Sequence, residues 1–365
     1  MNNERRRFMA TASGAAVTVA ATALVHAPHA IAQPKVQWRL STAWPPVLDM
    51  LQGSAQRLAK IVEEMSGGRF RIEVYPGGQI MAPFACFDAA SQGTIEAFMS
   101  AAAYWATKEP AAEWFMSVPF GMDPQGMAAW YYHGDGLQLW EETYAPFNIV
   151  PRLGPGFSPQ MGGWFRKKIN TIADYKGLKM RIAGLGGQVV NRAGGTSVLM
   201  PAAEIYGAFE RGVIDACEWV GPHDDVKLSL QNTARYYYYP GWHEPGTVSE
   251  FGFNRKAYEA LPADLRRILD LATAANQVHG LMDFHTKNAM AFERLKTEYK
   301  GKVELVQFPG PVLRDLKKIA AQVIREQSEK SPMARKVYAS FTKFQALLGP
   351  WDGVAEGAYQ QWLRG

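Results

Sequence analysis

Two charged side chains follow neighbouring predicted strands in the middle of the chain. Arg181 ends the strand predicted at 178–182, and Glu218 follows the strand predicted at 213–217. Open α/β sheets bind their ligands beyond the carboxyl ends of the strands. The arginine guanidinium is a planar fork of donors that matches a carboxylate with two charge-assisted hydrogen bonds. The sequence therefore indicates a carboxylate site at Arg181, with a surface salt bridge as the ordinary alternative.

Glu218 makes this predicted site mixed in charge. An anionic ligand would be repelled by the Glu218 carboxylate unless a cation lay between them, so the pair suggests a bridging metal ion. The residues alone leave a second interpretation open, in which Glu218 simply pairs with Arg181 or another base.

The elements that precede this site have the periodicity of a βαβ unit. Apolar residues alternate over 36–40, recur at helical spacing over 51–65, and alternate again over 70–74. Gly67-Gly68 ends the helix, and Pro76-Gly77-Gly78 ends the second strand. Two strands joined in this way are parallel.

The same pattern returns around Arg181, and long amphipathic helices follow Pro262. Further segments are predicted as helices at 187–193, 201–209, 312–324 and 334–348, and as a strand at 196–199. We therefore expect an α/β fold with two lobes, a ligand cleft between them and long bracing C-terminal helices. The predicted segments are lobe I at 33–155 plus 241–285, lobe II at 156–240 plus 286–335, and a C-terminal tail at 336–365.

The first 32 residues have the composition of an export signal. Arg5-Arg6 precedes an apolar stretch at 10–25, and Ala30-Ile31-Ala32 predicts cleavage before Gln33. The arginine pair resembles a twin-arginine signal, with general secretion as the alternative. No cysteine stands directly after the predicted cleavage site, so a lipid anchor is not expected. The sequence predicts a free periplasmic protein.

Charge and cysteine content narrow the function classes. Removing the signal, with three arginines and one glutamate, lowers the formal net charge from +5 to +3. This surface favours small anions and is too weakly basic to indicate a nucleic-acid partner. Cys86 and Cys217 are too far apart for a Cys-x-x-Cys metal site, and they are interpreted either as a disulfide or as two buried apolar residues.

Two motifs carry a family resemblance. They are DYKGLKMR at 174–181 and EIYGAFERGVIDA at 204–216. These motifs, with Phe253-Asn254-Arg255 and Leu261-Pro262, resemble the substrate-binding subunits of tripartite ATP-independent periplasmic (TRAP) transporters over nearly all of the mature chain. The resemblance implies capture of a small carboxylate and its delivery to the TRAP membrane subunits.

The resemblance also assigns roles to individual residues. Arg181 stands where the family's carboxylate clamp stands. QMGGWFR at 160–166 and CEW at 217–219 resemble the branch that binds 2-oxo acids such as pyruvate, or 2-hydroxy acids such as lactate, through a metal. Gln160, Glu218 and the backbone carbonyl of Trp219 are thereby implied as metal ligands, and Gln160 and Trp219 also as ligand contacts. Oxygen ligands suit sodium or calcium.

Three aromatic or imidazole side chains are further candidates. Tyr104 resembles a pocket tyrosine of the same branch, whose hydroxyl reaches the ligand from the opposite lobe, and its alternative interpretation is a core aromatic. Trp44 and His243 are weaker candidates for the cleft.

Two hypotheses concern assembly and chemistry. Val337, Phe341, Phe344 and Leu348 recur at helical spacing, and the resemblance favours a homodimer through these C-terminal helices. The rival function is a periplasmic metal-dependent enzyme acting on a 2-oxo acid. The chain has no Gly-x-Ser-x-Gly or His-Glu-x-x-His motif, so binding is preferred over catalysis.

Overall fold

A computed structural model describes residues 35–363, so the predicted signal peptide lies outside the described residues. Within this range the chain forms two β-sheets covered by α-helices. The strands are β1 (Val36–Thr42), β2 (Phe70–Tyr75), β3 (Ala97–Ser100), β4 (Ile149–Phe157), β5 (Gly163–Phe165), β6 (Lys179–Arg181), β7 (Thr196–Val198), β8 (Ala216–Cys217), β9 (Tyr236–Tyr239), β10 (Thr247–Asn254) and β11 (Glu304–Gln307). The helices are α1 (Asp49–Met65), α2 (Cys86–Ser91), α3 (Pro124–His133), α4 (Gly136–Tyr144), α5 (Gly184–Arg192), α6 (Ala202–Glu210), α7 (Pro222–Lys227), α8 (Arg255–Glu259), α9 (Ala263–Thr297), α10 (Gly310–Ser328), α11 (Pro332–Asp352) and α12 (Ala358–Leu363).

The first sheet has the strand order β2-β1-β3-β10-β4. Strand β1 is parallel to β2 and β3, whereas β10 is antiparallel to β3 and β4. Helix α1 connects β1 to β2 and buries Leu51, Ala55 and Leu58, because these residues recur on one helical face. The predicted βαβ unit is confirmed.

The second sheet has the strand order β11-β9-β5-β8-β6-β7. Strand β6 is parallel to both β7 and β8, as expected for strands joined through helices. The strand predicted at 213–217 is too long, since only Ala216–Cys217 pair with neighbours. The amide of Val213 instead donates to the Ala208 carbonyl (2.9 Å), because Gly212, at φ +74°, turns the chain out of helix α6.

The chain passes between the two sheets at two short crossovers that lie side by side. Residues 158–162 join β4 to β5, and residues 240–246 join β9 back to β10. The amide of Gln160 donates to the Glu244 carbonyl (3.2 Å), and the amide of Gly241 donates to the Gln160 carbonyl (2.9 Å). The 35-residue helix α9 makes a third connection, since it packs on β4 of the first sheet and on α7 beside the second.

Both cysteines are free and buried. Of the two interpretations open from the sequence, the disulfide is therefore wrong, and Cys86 and Cys217 act as small apolar residues. Burial raises the pKa of both thiols, which makes them unreactive.

The apolar stripe of helix α11 faces the protein's own first lobe. Val337 and Phe341 are fully buried, and Phe344 and Leu348 pack partly buried against the same core. The ring centroid of Phe341 lies 5.3 Å from that of Trp130 in helix α3. The expectation that this stripe binds a second subunit is therefore wrong for Val337 and Phe341, because their burial is intramolecular, and it stays a prediction for the partly buried Phe344 and Leu348.

Glu250 is a fully buried carboxyl group in the central strand β10. It accepts hydrogen bonds from Trp105 Nε1 (2.5 Å) and from the Tyr144 hydroxyl (2.8 Å). Burial raises the pKa of Glu250 to about 7. The folded state thus keeps a proton that the unfolded state, with a pKa of about 4.3, releases. Unfolding therefore releases a proton between these pH values, and stability falls as pH rises.

We expect the Glu250→Gln variant to lose less stability than wild type as the pH rises to neutral and alkaline values. A glutamine fits the site, since its oxygen can accept from Trp105 and its amide can donate to the Tyr144 hydroxyl. The unfolding free energy of the variant, relative to wild type, should rise by about 3 kcal/mol between pH 4 and pH 8. Urea unfolding at both pH values measures this difference. A pH-independent difference would contradict the assignment.

Candidate functional site

Neighbouring parallel strands bring Arg181 and Glu218 together. In the pairing of β6 with β8, Arg181 lies opposite Cys217, the residue before Glu218. Arg181 and Glu218 therefore lie next to each other at the carboxyl ends of these two strands. Arg181 Nη1 donates to the Glu218 backbone carbonyl (3.0 Å) and to Glu218 Oε1. The ion pair left open from the sequence is therefore present. Arg181 and Glu218 are only 2% and 1% exposed, so this pair is shielded from water.

Arg181 keeps donor capacity beyond this ion pair. Among the described residues, no group accepts a hydrogen bond from its Nε. Its Cζ lies 4.7 Å from the ring centroid of Trp219, a cation–π contact that holds the guanidinium plane. Burial lowers the pKa of Arg181, but Glu218, Tyr104, Cys217 and Glu244 together raise it by more, so its pKa lies above the ordinary value and the group stays charged. A buried cation with a free donor is suited to an anionic ligand.

Gln160 reaches the same region from the first crossover. Its Nε2 donates to Glu244 Oε2 (2.5 Å) and to Thr247 Oγ1 (3.3 Å). Its Oε1 is buried and accepts no hydrogen bond within the described chain. Burial and the nearby Glu218 raise the pKa of Glu244 to about 7. An amide oxygen buried without a partner is costly in the protein alone and is available to a cation.

A small cavity joins these groups. It has a volume of about 40 Å³, where one enclosed water requires about 10–15 Å³. It is lined by Trp44, Leu51, Ala101, Tyr104, Met116, Phe157, Gln160, Arg181, Ala183, Glu218, Trp219, Val220, Glu244, Thr247 and Ser249. The lining therefore combines polar and charged side chains with apolar and aromatic ones.

Tyr104 and Trp44 approach the cavity from the first sheet, opposite Arg181. Tyr104 lies in a 3-10 segment directly after β3 and is half-buried. Burial raises the pKa of its hydroxyl, which therefore remains a neutral donor. The structure thus brings Tyr104, Trp44, Gln160, Arg181, Glu218 and Trp219 to one cavity.

His243 is buried beside the site and does not line the cavity. Its Nε2 lies 3.6 Å from Glu218 Oε2, and neither ring nitrogen has a hydrogen-bond partner among residues 35–363. The ligand atoms of Glu218, His243 and Glu244 lie within 4.8 Å of one another. The imidazole of His243 is thus a potential partner for Glu218 Oε2.

Several cavity residues were missed from the sequence. Glu244 and Thr247 belong to the second crossover, more than 80 positions from Gln160, and no local spacing links the two segments. Met116 and Phe157 have the apolar context of core residues, so nothing distinguishes them before the lobes are assembled. The one available signal was the run Gly241-Trp242-His243-Glu244-Pro245, in which only the histidine was considered.

A second group of metal-type side chains lies outside this cavity. Asp49 Oδ1 in helix α1 is 2.9 Å from His223 Nε2, and carboxylate oxygens of Asp49 are 3.8 Å from Lys227 and Lys287. Asp224 is close by, but burial and the neighbouring Asp225 raise its pKa well above the ordinary value. Because the two ammonium groups repel a cation, this is an ion-pair cluster between helices rather than a cation site.

The cavity can therefore hold a small anion together with a cation. Arg181 and Glu218 cancel in charge, so an added carboxylate leaves an excess negative charge in a buried site. A hard cation with oxygen ligands would offset it, and Gln160 Oε1, Glu218 and the Trp219 carbonyl are oxygen donors. Among the described residues, no histidine or cysteine lines the cavity, so it holds no Ser-His or Cys-His pair.

Comparison with known proteins gives a consistent result. Residues 40–331 match the family described as "Bacterial extracellular solute-binding protein, family 7". The "Monocarboxylate 2-oxoacid-binding periplasmic protein" of Nostoc sp. is 37% identical over 360 residues, covering 98% of each chain.

Solved structures agree with this match. A TRAP transporter solute-binding protein from Bordetella bronchiseptica, a dimer with calcium and picolinate, is 36% identical with a TM-score of 0.88 over 90% of this chain and 97% of that chain. A protein from Pseudoalteromonas atlantica with sodium and pyruvate is 36% identical, and one from Colwellia psychrerythraea with calcium and pyruvate is 34% identical. Both have a TM-score of 0.87 and cover 90% of this chain and 99% of theirs. The chain belongs to the bacterial extracellular solute-binding protein family 7.

Proposed function

We propose that this protein binds a small 2-oxo or 2-hydroxy monocarboxylate, such as pyruvate or lactate, in the periplasm and delivers it to the membrane subunits of a TRAP transporter. The observation that carries the proposal is that Arg181 and Gln160, which line one cavity, each bury a polar atom, Nε and Oε1, without a hydrogen-bond partner among the described residues. Relatives with 34–36% identity hold pyruvate in their structures. No described helix is long and apolar enough to cross a membrane.

A sodium or calcium ion is the cofactor of this proposal. Gln160 Oε1, the Glu218 carboxylate and the Trp219 carbonyl would hold it, since hard cations prefer such oxygen ligands. Gln160 fits this role because its buried Oε1 accepts no hydrogen bond from the described chain. The ion would neutralise charge between Glu218 and the ligand.

The cavity size selects small ligands. A volume of about 40 Å³ accommodates about three water-sized groups. Arg181 and Tyr104 would bind the ligand carboxylate from opposite walls, and Met116 and Phe157 would contact its apolar end. The proposed lobes are 33–155 plus 241–285 and 156–240 plus 286–335, and closure between them would shield the ligand from water.

A panel of ligands tests this proposal. We expect pyruvate, lactate and related 2-oxo acids to raise the thermal midpoint of the mature protein when sodium or calcium is present. Succinate, which carries a second carboxylate, should give a smaller shift because Arg181 is the one cationic side chain among the described residues that line the cavity. Proton NMR of the pyruvate mixture should show line broadening without product. Steady turnover would instead support a metal-dependent enzyme.

We also propose a homodimer through the end of the C-terminal tail. Leu347, Trp351, Val354, Tyr359 and Trp362 are between 63% and 87% exposed, which leaves an apolar surface beyond the part of α11 that packs on the first lobe. Large exposed apolar surfaces are typical of interfaces. The Bordetella bronchiseptica relative is a dimer, which supports a second copy as the occupant.

Replacing both Trp351 and Trp362 by glutamate should convert the dimer into a monomer. Each charge would be buried at the interface without a partner. Light scattering at micromolar concentration measures the mass. Met290→Glu is the matched control, since Met290 is 65% exposed on helix α9 and should leave the dimer intact. A monomeric wild-type chain would rule out the stable dimer.

A further inference from the structure

One carboxylate joins helix α1 to helix α7 across the two proposed lobes. Asp49 begins α1, in proposed lobe I, and its Oδ1 lies 2.9 Å from Nε2 of His223 in α7, in proposed lobe II. The same oxygen lies 3.8 Å from Lys227 Nζ at the end of α7. Among the hydrogen bonds and ion pairs of the described residues, every side-chain contact between α1 and α7 involves Asp49.

Helix α9 holds each of these two helices by a separate contact. On the side of α1, Asn276 Nδ2 donates to the Ser54 carbonyl (2.7 Å). On the side of α7, the His223 amide donates to Asn288 Oδ1 (3.0 Å). The proposed boundary between the lobes lies between Asn276 and Asn288. A movement of the lobes about α9 would therefore break the Asp49 contacts and leave both of these hydrogen bonds in place.

Asp49 is the negative group among three basic side chains. Besides His223 and Lys227, its Oδ2 lies 3.8 Å from Lys287 Nζ of α9. Burial raises the pKa of Asp49, but the hydrogen bond and charge of His223 and the charges of the two lysines lower it by more, so it lies below the ordinary value. The neighbouring Asp224 carboxyl has no hydrogen-bond partner within the described residues. Asp49 is therefore the carboxylate that joins the helices.

The Asp49 contacts lie at the edge of the proposed ligand cavity. Leu51 of α1 lines this cavity, and so does Val220, two residues before α7 begins. The side chains of Asp49 and His223 are 44% and 19% exposed, so water and salt reach the pair. A partly exposed ion pair of this kind changes an equilibrium by about 1.4- to 5-fold.

We propose that Asp49 is a lobe-closing residue, whose contacts with His223 and Lys227 slow release of the bound ligand. This inference rests on the proposed function and extends it to a residue that does not line the cavity. The ligand enters while the lobes are apart, and the Asp49 contacts form as the lobes close. Loss of Asp49 should therefore raise the dissociation rate constant koff and leave the association rate constant kon nearly unchanged.

A local role in helix α1 is the competing interpretation. Asp49 lies in the first turn of α1, where a negative charge stabilises a helix through its dipole. Under that interpretation, replacing Asp49 would lower the thermal midpoint of the ligand-free protein and leave koff unchanged. The two interpretations therefore predict changes in different measured quantities.

Stopped-flow kinetics with a double-mutant cycle separates them. Pyruvate is mixed with the calcium-saturated mature protein, and tryptophan fluorescence reports binding because Trp44 and Trp219 line the cavity. The slope and intercept of the observed rate against pyruvate concentration give kon and koff. We expect Asp49→Asn to raise koff about 3- to 10-fold, since it removes two contacts between the lobes. His223→Ala should raise koff in wild type, but by less than about twofold in the Asp49→Asn background.

Salt provides a second measurement of the same contact. In about 1 M choline chloride the screening length falls to about 3 Å, so the koff values of wild type and Asp49→Asn should approach each other. Choline replaces sodium here because sodium is a candidate for the cation site. A difference in koff that persists at high salt would show that charge is not its cause and would overturn the inference.

Matched variants make each outcome decisive. Glu64→Gln removes a carboxylate from the same helix whose ion partner, Lys60, also lies on α1, and its koff should equal that of wild type. Lys227→Gln should raise koff about twofold and serves if Asp49→Asn does not fold. Unchanged koff in Asp49→Asn, or additive effects of Asp49→Asn and His223→Ala, overturns the inference. If wild type binds no pyruvate, the proposed function fails and this inference fails with it.

Discussion

Replacing Arg181 by alanine is expected to abolish high-affinity binding of a 2-oxo monocarboxylate. Arg181 is 2% exposed and is the cationic group that lines the cavity. Truncating one member of a buried charge pair costs about 2 to 5 kcal/mol of binding free energy. Calorimetric titration with pyruvate measures the loss, and circular dichroism checks that the variant is folded.

Two further variants separate recognition from net charge. Arg181→Lys keeps the positive charge but loses the planar fork, so it should recover little affinity. Arg192→Ala removes one positive charge from an exposed pair with Glu326 and should bind as wild type does. If Arg181→Ala retained near-normal affinity, the carboxylate would have to bind elsewhere.

Replacing Glu218 by glutamine is expected to remove the cation dependence of ligand binding. Glutamine keeps an oxygen ligand and the side-chain shape but removes one negative charge, so cation affinity should fall. By linkage, the cation then loses its effect on ligand affinity, a coupling typically of about 1 to 3 kcal/mol. The variant also frees Arg181 from its ion pair.

The direction in which Glu218→Gln changes pyruvate affinity in the absence of a cation makes this test specific. Because Glu218 repels a carboxylate, cation-free pyruvate affinity should stay the same or increase in the variant. Titrations of wild type and variant, each in chelator and in calcium, give all four affinities. If calcium strengthens pyruvate binding equally in both proteins, Glu218 is not part of the cation site and is structural.

The strand ends were predictable from sequence, because local periodicity determines them. Arg181 ends strand β6 and Glu218 directly follows strand β8, and parallel pairing of β6 with β8 brings them together as expected. The βαβ unit around helix α1 followed from the same periodicity, with Gly67-Gly68 at its end.

The contact of Glu244 with Gln160 was not predictable from the sequence, since it forms between distant segments of the chain. Glu244 meets Gln160 only because two crossovers lie side by side, and a single sequence has no signal for that pairing. The stripe at Val337 and Phe341 has the same periodicity whether it packs on its own lobe or on a second subunit. Secondary-structure patterns identify an apolar face without identifying its partner.

Calorimetric titration of pyruvate into the mature protein, first in chelator and then with calcium or sodium, tests the central claim most directly. The account predicts one ligand per chain and an affinity about 5- to 150-fold higher with the cation present. Equal affinity with and without the cation, or no binding of any small 2-oxo or 2-hydroxy monocarboxylate, would contradict it.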